Sequence, residues 1–214
     1  ELEAPVPVPK VKLGKEQQIE YDTSLKNGQA NLQAGSFDLA KMCFQNCIRL
    51  DGNSNEGHLG LARCLAQAGE IGPAELEIFE VLRNLPQHAE ARILLGNLMM
   101  ADQRWDEAGG QFLQVLKTQA NNQEARGNLA LCFQQLGQFD AAIGQYKYIL
   151  EKHPKSREAA FNLGAAYESK KMLDEAILYY KKTLEIDNTY YNAFCSLAKC
   201  LAIKKMYPDA ITLI

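Results

Sequence analysis

The sequence repeats one pattern of small and large apolar residues every 34 positions, without an insertion. One column of the pattern holds alanine in every copy: Ala40, Ala74, Ala108, Ala142, Ala176 and Ala210. Four positions later the residue is always large and apolar: Phe44, Ile78, Phe112, Tyr146, Tyr180 and Ile214. Twelve positions before the alanine it is always small: Gly28, Ala62, Gly96, Ala130, Gly164 and Ala198. Because the columns stay in register through six copies, the sequence predicts a repeat protein.

Each copy predicts two amphipathic helices joined by a short turn. In the fifth copy, apolar residues recur at helical spacing over 157–169 and again over 174–186. Helices joined by so short a turn must lie antiparallel. Gly35, Gly69 and Gly137 stand where the first helix of three copies should end. They predict left-handed caps at these helix ends.

The pattern resembles that of the tetratricopeptide repeat (TPR) family, which places Leu, Gly, aromatic residues and Ala at fixed positions over 34 residues. The fifth copy carries Leu163, Gly164, Tyr167, Ala176 and Tyr180 at these positions. The third and fourth copies carry the same pattern with small departures. The resemblance extends over about nine-tenths of the chain.

The resemblance implies an all-α fold: a right-handed superhelical solenoid of antiparallel helical hairpins with about six repeats, the last one truncated. The predicted repeats are residues 21–54, 55–88, 89–122, 123–156, 157–190 and 191–214. Residues 1–15 alternate proline with apolar residues, which predicts an extended Pro-rich tail or linker before a solenoid of residues 16–214.

Charge and composition narrow the class of partner. The 214 residues include 23 Lys and Arg against 26 Asp and Glu, a formal net charge of −3, with a pI of about 5.7. A nucleic-acid partner requires a basic face, so we predict none. No apolar run approaches the roughly 20 residues of a membrane-spanning helix, which predicts no direct membrane insertion. Sparse cysteines and the lack of a signal-peptide pattern lead us to expect a cytoplasmic protein.

The sequence contains no recognisable catalytic or metal-binding constellation. The three histidines, His58, His88 and His153, show no metal-ligand spacing, so we predict no metal site and no cofactor. Cys64, Cys132 and Cys200 share one column of the first helix, which favours packing as small apolar residues over redox chemistry. Phosphate-binding glycine loops, HExxH helices and nucleophile elbows are missing. We therefore predict that the protein is not an enzyme.

The remaining candidate for function is the surface of the first helices, which line the concave face of such a solenoid. The outward positions are rich in amides with apolar residues between them. Amides can pair with the backbone of an extended peptide, and the apolar side chains can contact its side chains. The alternative is that the amides only hydrate an exposed helix face. The predicted binding residues are Gln33, Arg63, Gln67, Leu94, Asn97, Met100, Asn128, Leu131, Gln135, Phe161 and Asn162.

Some family members hold a C-terminal carboxylate with cationic and asparagine side chains from three successive repeats. The corresponding cationic positions here are Ile93, Glu158 and Asn162, so the comparison implies no such clamp. Asn128 and Asn162 instead resemble the asparagine ladders with which other members hold peptide backbones. Glutamates recur near the starts of first helices, where we interpret them mainly as complements to the helix dipoles: Glu56, Glu90, Glu124 and Glu158.

These observations predict a non-enzymatic scaffold or adaptor that binds a peptide segment or a partner subunit. The first alternative is the substrate-recruiting arm of a longer enzyme such as a glycosyltransferase, because the sequence stops inside a second helix. An RNA-binding array of the pentatricopeptide kind is opposed by the 34-residue spacing and the acidic pI. Self-association through the uncapped last repeat also stays open, with Ile203, Ile211, Leu213 and Ile214 as its apolar residues.

Overall fold

The computed structural model describes residues 12–206, and this part of the chain contains helices but no strand. The helices are α1 (Lys15–Gln33), α2 (Phe37–Leu50), α3 (Asn55–Gln67), α4 (Ile71–Asn84), α5 (Ala89–Ala101), α6 (Trp105–Thr118), α7 (Gln123–Gln135), α8 (Phe139–Lys152), α9 (Arg157–Ser169), α10 (Leu173–Ile186) and α11 (Tyr191–Ile203). The chain divides into an N-terminal unit, Glu1–Gln119, and a C-terminal unit, Ala120–Ile214. Most of the predicted Pro-rich tail lies outside the described residues.

Both units are built from hairpins of consecutive helices. In the N-terminal unit, α1 packs on α2, α3 on α4 and α5 on α6, and neighbouring hairpins meet through α2 with α3 and α4 with α5. In the C-terminal unit, α7 packs on α8 and α9 on α10, while α8 contacts α9 and α10 contacts α11. The predicted all-α fold of helical hairpins is confirmed.

The repeating small and large residues form the core of each hairpin. Ala40, Ala74, Ala108, Ala142 and Ala176 are completely buried. The large residues four positions later are buried as well: Phe44, Ile78, Phe112, Tyr146 and Tyr180. A Cβ atom at Gly96 would lie 2.6 Å from the Phe112 ring, and one at Gly164 would lie 2.8 Å from the Tyr180 ring. The large aromatic rings therefore require the small column. The sixth copies of the alanine and of the large residue lie outside the described residues.

Four of the first helices, α3, α5, α7 and α9, begin at polar caps that recur every 34 residues. The side chains of Ser54, Asn122 and Ser156 accept hydrogen bonds from backbone amides in the first turns of α3, α7 and α9. The Nδ1 atom of His88 accepts the equivalent bond from Ala91 at the start of α5. These bonds satisfy amides that have no partner within the helix. The predicted left-handed caps at the other end are confirmed, since Gly35, Gly69 and Gly137 have φ angles of 73°, 77° and 72°.

A polar bridge also recurs between the helices of a hairpin. Arg92 of α5 donates through Nε to the carbonyl oxygen of Pro86 at 2.9 Å and through Nη1 to Oε1 of Gln111 at 2.7 Å. Arg126 makes the equivalent pair of bonds in the next repeat. The bridge joins the preceding loop, the first helix and the second helix of one repeat, and so fixes the hairpin geometry.

Candidate functional site

A groove of about 420 Å³ lies between α7 and α9 in the C-terminal unit. Three of the predicted binding residues line it: Asn128, Leu131 and Asn162. Asn128 and Asn162 occupy the same position in successive repeats, so hairpin stacking places their amides on the same side. Leu131 follows Asn128 by one helical turn and adds an apolar contact. The three side chains are half-buried.

Helix α8 contributes Tyr146 and Ile149 to the same groove. Tyr146 is 1% exposed, and its hydroxyl has no hydrogen-bond partner. Burial raises the pKa of Tyr146 above its usual range, so the hydroxyl keeps its proton and is available as a donor. The sequence pattern assigned this residue to the core and gave no sign of a polar role. A buried hydroxyl without a partner is uncommon in folded proteins and marks this position.

Two carboxylates stand at equivalent positions of the groove, Glu124 on α7 and Glu158 on α9. A hydrogen bond from its own backbone amide and the Arg157 guanidinium lower the pKa of Glu158. Arg157 also pairs with Asp187 at 2.7 Å, so one cation serves two carboxylates. Thr189 and Arg157 together lower the pKa of Asp187 to about 2. Glu158 and Asp187 are therefore ionised at neutral pH.

The two other predicted residues of the C-terminal unit, Phe161 and Gln135, lie outside the groove lining. Phe161 is half-buried, and its ring packs 5.6 Å from Tyr180 and 5.2 Å from Tyr190, measured between ring centroids. Gln135 is exposed near the end of α7 and does not belong to the groove lining. Phe161 therefore contributes to packing of the C-terminal unit in addition to any contact that it makes with a ligand.

The predicted residues of the N-terminal unit lie on α1, α3 and α5. Arg63 forms an ion pair with Glu90. Gln67 lines a separate depression beside the turn between α1 and α2. The others lie at exposed or half-buried positions on first helices: Gln33, Leu94, Asn97 and Met100.

Cysteine and histidine placement agrees with structural roles. Cys47, Cys64, Cys132 and Cys200 are buried, and no disulfide joins any of the six cysteines, all of which lie within the described residues. Burial raises the pKa of Cys47 and of Cys200 to about 11, which suppresses the reactive thiolate. Within residues 12–206, His, Cys, Asp and Glu side chains do not gather in groups of three or more that could hold a metal ion.

Across the described helices, none combines the length and apolar character needed to cross a membrane.

The proposed self-association surface falls partly outside the described residues, since Ile211, Leu213 and Ile214 belong to the undescribed end. Ile203 at the end of α11 is 55% exposed. Self-association stays a prediction.

The hairpin packing and the 34-residue columns define an all-α helical repeat protein. A family model for the tetratricopeptide repeat matches residues 25–82, 74–125 and 128–191, which is most of the chain. The chain belongs to the tetratricopeptide repeat family. No curated protein sequence matches it significantly.

Solved structures show the same fold over most of the chain. PilF of Pseudomonas aeruginosa is 17% identical, with 93% of this chain and 90% of that chain covered and a TM-score of 0.79. MamA of Desulfovibrio magneticus is 19% identical, covering 84% and 99%, with a TM-score of 0.75. YrrB, described as a TPR protein with an unusual peptide-binding site, is 18% identical, covering 85% and 94%, with a TM-score of 0.72.

Proposed function

We propose that this protein is a non-enzymatic binding scaffold whose groove between α7 and α9 holds an extended peptide segment of a partner protein. The observation that carries the proposal is the placement of Asn128, Leu131 and Asn162 in one groove. Family membership supports it, because stacked helical repeats commonly present extended binding surfaces. The description of YrrB as a TPR protein with a peptide-binding site supports it further.

The chemistry of the lining suits an extended backbone. An asparagine amide donates and accepts at once, so two amides from successive repeats can pair with N–H and C=O groups of one peptide. Leu131 and Ile149 offer apolar contacts for a side chain of that peptide. The two carboxylates argue against RNA, because a phosphate backbone would meet negative charge in the groove.

Site-specific photo-crosslinking tests the proposal. A photoreactive amino acid replaces Leu131 in the full chain, and a matched protein carries it at Leu178, which is 61% exposed on a second helix. The segment of the partner protein that becomes crosslinked to position 131 is then sequenced and synthesised as a peptide. We expect this synthetic segment to lose about tenfold in affinity for the Asn128→Ala, Asn162→Ala double variant.

A surface substitution provides the control for that measurement. Gln45 is exposed on the second helix α2. The Gln45→Ala variant should bind the segment within about twofold of the unaltered chain, as surface changes away from an interface usually do. Full affinity in the asparagine double variant would show that the groove does not hold the segment.

A further inference from the structure

The lining of the groove has a one-sided charge distribution. Glu124 and Glu158 line it, whereas its lining contains no lysine, arginine or histidine. The nearest cation on α9, Arg157, is already shared between Glu158 and Asp187. Negative charge in a partly enclosed groove attracts a cation more strongly than the same charge on an open surface. The groove is therefore electrostatically complementary to a basic side chain.

The Tyr146 hydroxyl is a second polar feature of the groove lining, beside the carboxylates. The equivalent residue in the next repeat, Tyr180, donates its hydroxyl to Oε2 of Glu168 at 2.7 Å. The residue equivalent to Glu168 in the fourth repeat is Gln134. Its Oε1 atom is buried without a hydrogen-bond partner. The Tyr146 hydroxyl is likewise buried and unbonded in a residue that lines the groove. A hydrogen bond from this hydroxyl to a bound ligand would remove the cost of its burial.

We propose that the groove binds an extended peptide that places one arginine or lysine side chain between Glu124 and Glu158 and accepts a hydrogen bond from Tyr146 through a backbone carbonyl. This inference rests on the proposed function and adds the chemistry of the ligand. The carboxylates supply the preference for charge. Tyr146, with Asn128 and Asn162, supplies contacts to the peptide backbone that do not depend on the sequence of the ligand. Small side-chain movements in the lining, which are common on binding, give the carbonyl access to the hydroxyl.

Three pools of short, acetylated and amidated, fluorescein-labelled peptides test the preference. The pools share the same mixture of uncharged residues and differ only in a central Arg, Gln or Glu. Fluorescence anisotropy measures their affinity for the full chain. We expect the Arg pool to bind about tenfold more tightly than the Gln pool, and the Glu pool to bind most weakly. In the Glu124→Gln, Glu158→Gln double variant, the Arg and Gln pools should bind within about twofold of each other.

A matched pair of tyrosine variants tests the hydroxyl. Tyr146→Phe should weaken the Arg and Gln pools alike, by about fivefold, since it removes one hydrogen bond to the backbone. Tyr180→Phe removes a hydroxyl that is already bonded within the protein, so it should leave both affinities unchanged. Equal losses in the two variants would overturn the role of Tyr146. Circular dichroism of each variant verifies that the helices are retained.

The outcomes separate this inference from the proposed function. Equal binding of the three pools, weakened by the Asn128→Ala, Asn162→Ala double variant, would overturn the charge preference and leave the peptide groove in place. Preference for the Glu pool would overturn the inference in the same way. If no pool binds while the crosslinked partner segment does, the ligand chemistry is wrong and the groove assignment stands. If neither binds in the groove, both proposals are wrong.

Discussion

At the scale of single residues, His58 has an unusual environment for its type. Its Nδ1 atom lies 2.6 Å from Oε2 of Glu77, and its Nε2 atom lies 3.1 Å from the carbonyl oxygen of Gly52. Both partners can only accept hydrogen bonds, so the ring satisfies both only when both nitrogens carry protons. Arg92 occupies the same position in the next repeat and makes the same two kinds of bond. His58 is thus a titratable version of the recurrent polar bridge.

This arrangement predicts a dependence of stability on pH. Burial alone would lower the pKa of His58, but the hydrogen bonds to Glu77 and Gly52, with Glu80 nearby, outweigh it and raise the pKa. A histidine whose pKa is higher in the folded state stabilises that state fully at pH values below its unfolded pKa of about 6.5. This contribution is lost as the pH rises through the folded-state pKa. We expect the unfolding free energy to fall by about 1 kcal/mol above neutral pH, measured by urea denaturation.

The polar bridge of Arg92 in the third repeat is the template for the control variant. The His58→Arg, Glu77→Gln double variant reproduces the Arg92 and Gln111 pair and should abolish this part of the pH dependence. His153 is exposed at the end of α8, so His153→Gln should leave the dependence as it was. An unchanged pH profile in the double variant would contradict the assignment to His58.

At the scale of elements, the turn after each first helix requires one residue with positive φ. Glycine fills the position at Gly35, Gly69 and Gly137, but the equivalent residues of the other repeats are Gln103, Lys171 and Lys205, with φ of 59°, 62° and 61°. The turn geometry is the same in both groups. After α9, the amide of Met172 donates to the carbonyl of Tyr167 at 2.9 Å, the bond that closes such a helix end. The backbone geometry is kept even where the side chain makes it unfavourable.

We therefore expect Lys171→Gly to stabilise the protein. A left-handed conformation costs a non-glycine residue about 1–2 kcal/mol, and glycine offsets part of that gain through the entropy of the unfolded chain. The net gain should be about 0.5–1 kcal/mol by urea denaturation. Gly137→Ala should lower the unfolding free energy by about 1 kcal/mol, because alanine is strained at this positive φ. The added Cβ would meet no atom within 4 Å, so the cost comes from the backbone conformation alone.

Ala68→Gly is the matched control, because Ala68 ends α3 with a φ of −78°. Glycine there should destabilise by about 0.5–1 kcal/mol. A gain in stability at both positions 68 and 171 would contradict the role of positive φ.

The columns of the sequence predicted the elements because hairpin packing depends on residue size at fixed spacing. Within the described residues, the alanines and the large residues four positions later are buried as expected, and Gly96 and Gly164 lie against rings. The polar bridge was missed, although its cations also recur every 34 residues. The bridge uses a histidine in one repeat and arginines in the next two, so it does not stand out as a column of one residue type.

At the scale of the whole molecule, the pattern predicted only part of the groove. Asn128, Leu131 and Asn162 were predicted from their outward positions on first helices, and the structure brings them together. Tyr146 was not predicted as a groove residue, because the column assigns it to the core and its orphaned hydroxyl depends on the neighbouring glutamine. Phe161 packs against Tyr180 on α10 and against Tyr190 just before α11, contacts with other elements that a helical wheel of one helix cannot show.

The pattern of helix contacts makes a prediction about cooperativity. Each hairpin packs mainly on its neighbours in the chain, so a local cavity should open local structure first. Phe112 is completely buried in the α5–α6 hairpin, and Phe112→Ala should cost about 3–5 kcal/mol. We expect native-state hydrogen exchange to accelerate in α4, α5 and α6. Protection in α9 and α10 should stay close to that of the unaltered chain.

Leu163→Ala is the reciprocal variant, since Leu163 is completely buried in α9 of the C-terminal unit. Exchange should then accelerate in α8, α9 and α10, while α3 and α4 keep their protection. Mass spectrometry of peptic fragments resolves these segments in one experiment. Equal acceleration over all described helices in both variants would show that the chain unfolds as a single cooperative body. Loss of protection that follows the substituted hairpin would show that stability in this protein is the sum of local contacts between neighbouring repeats.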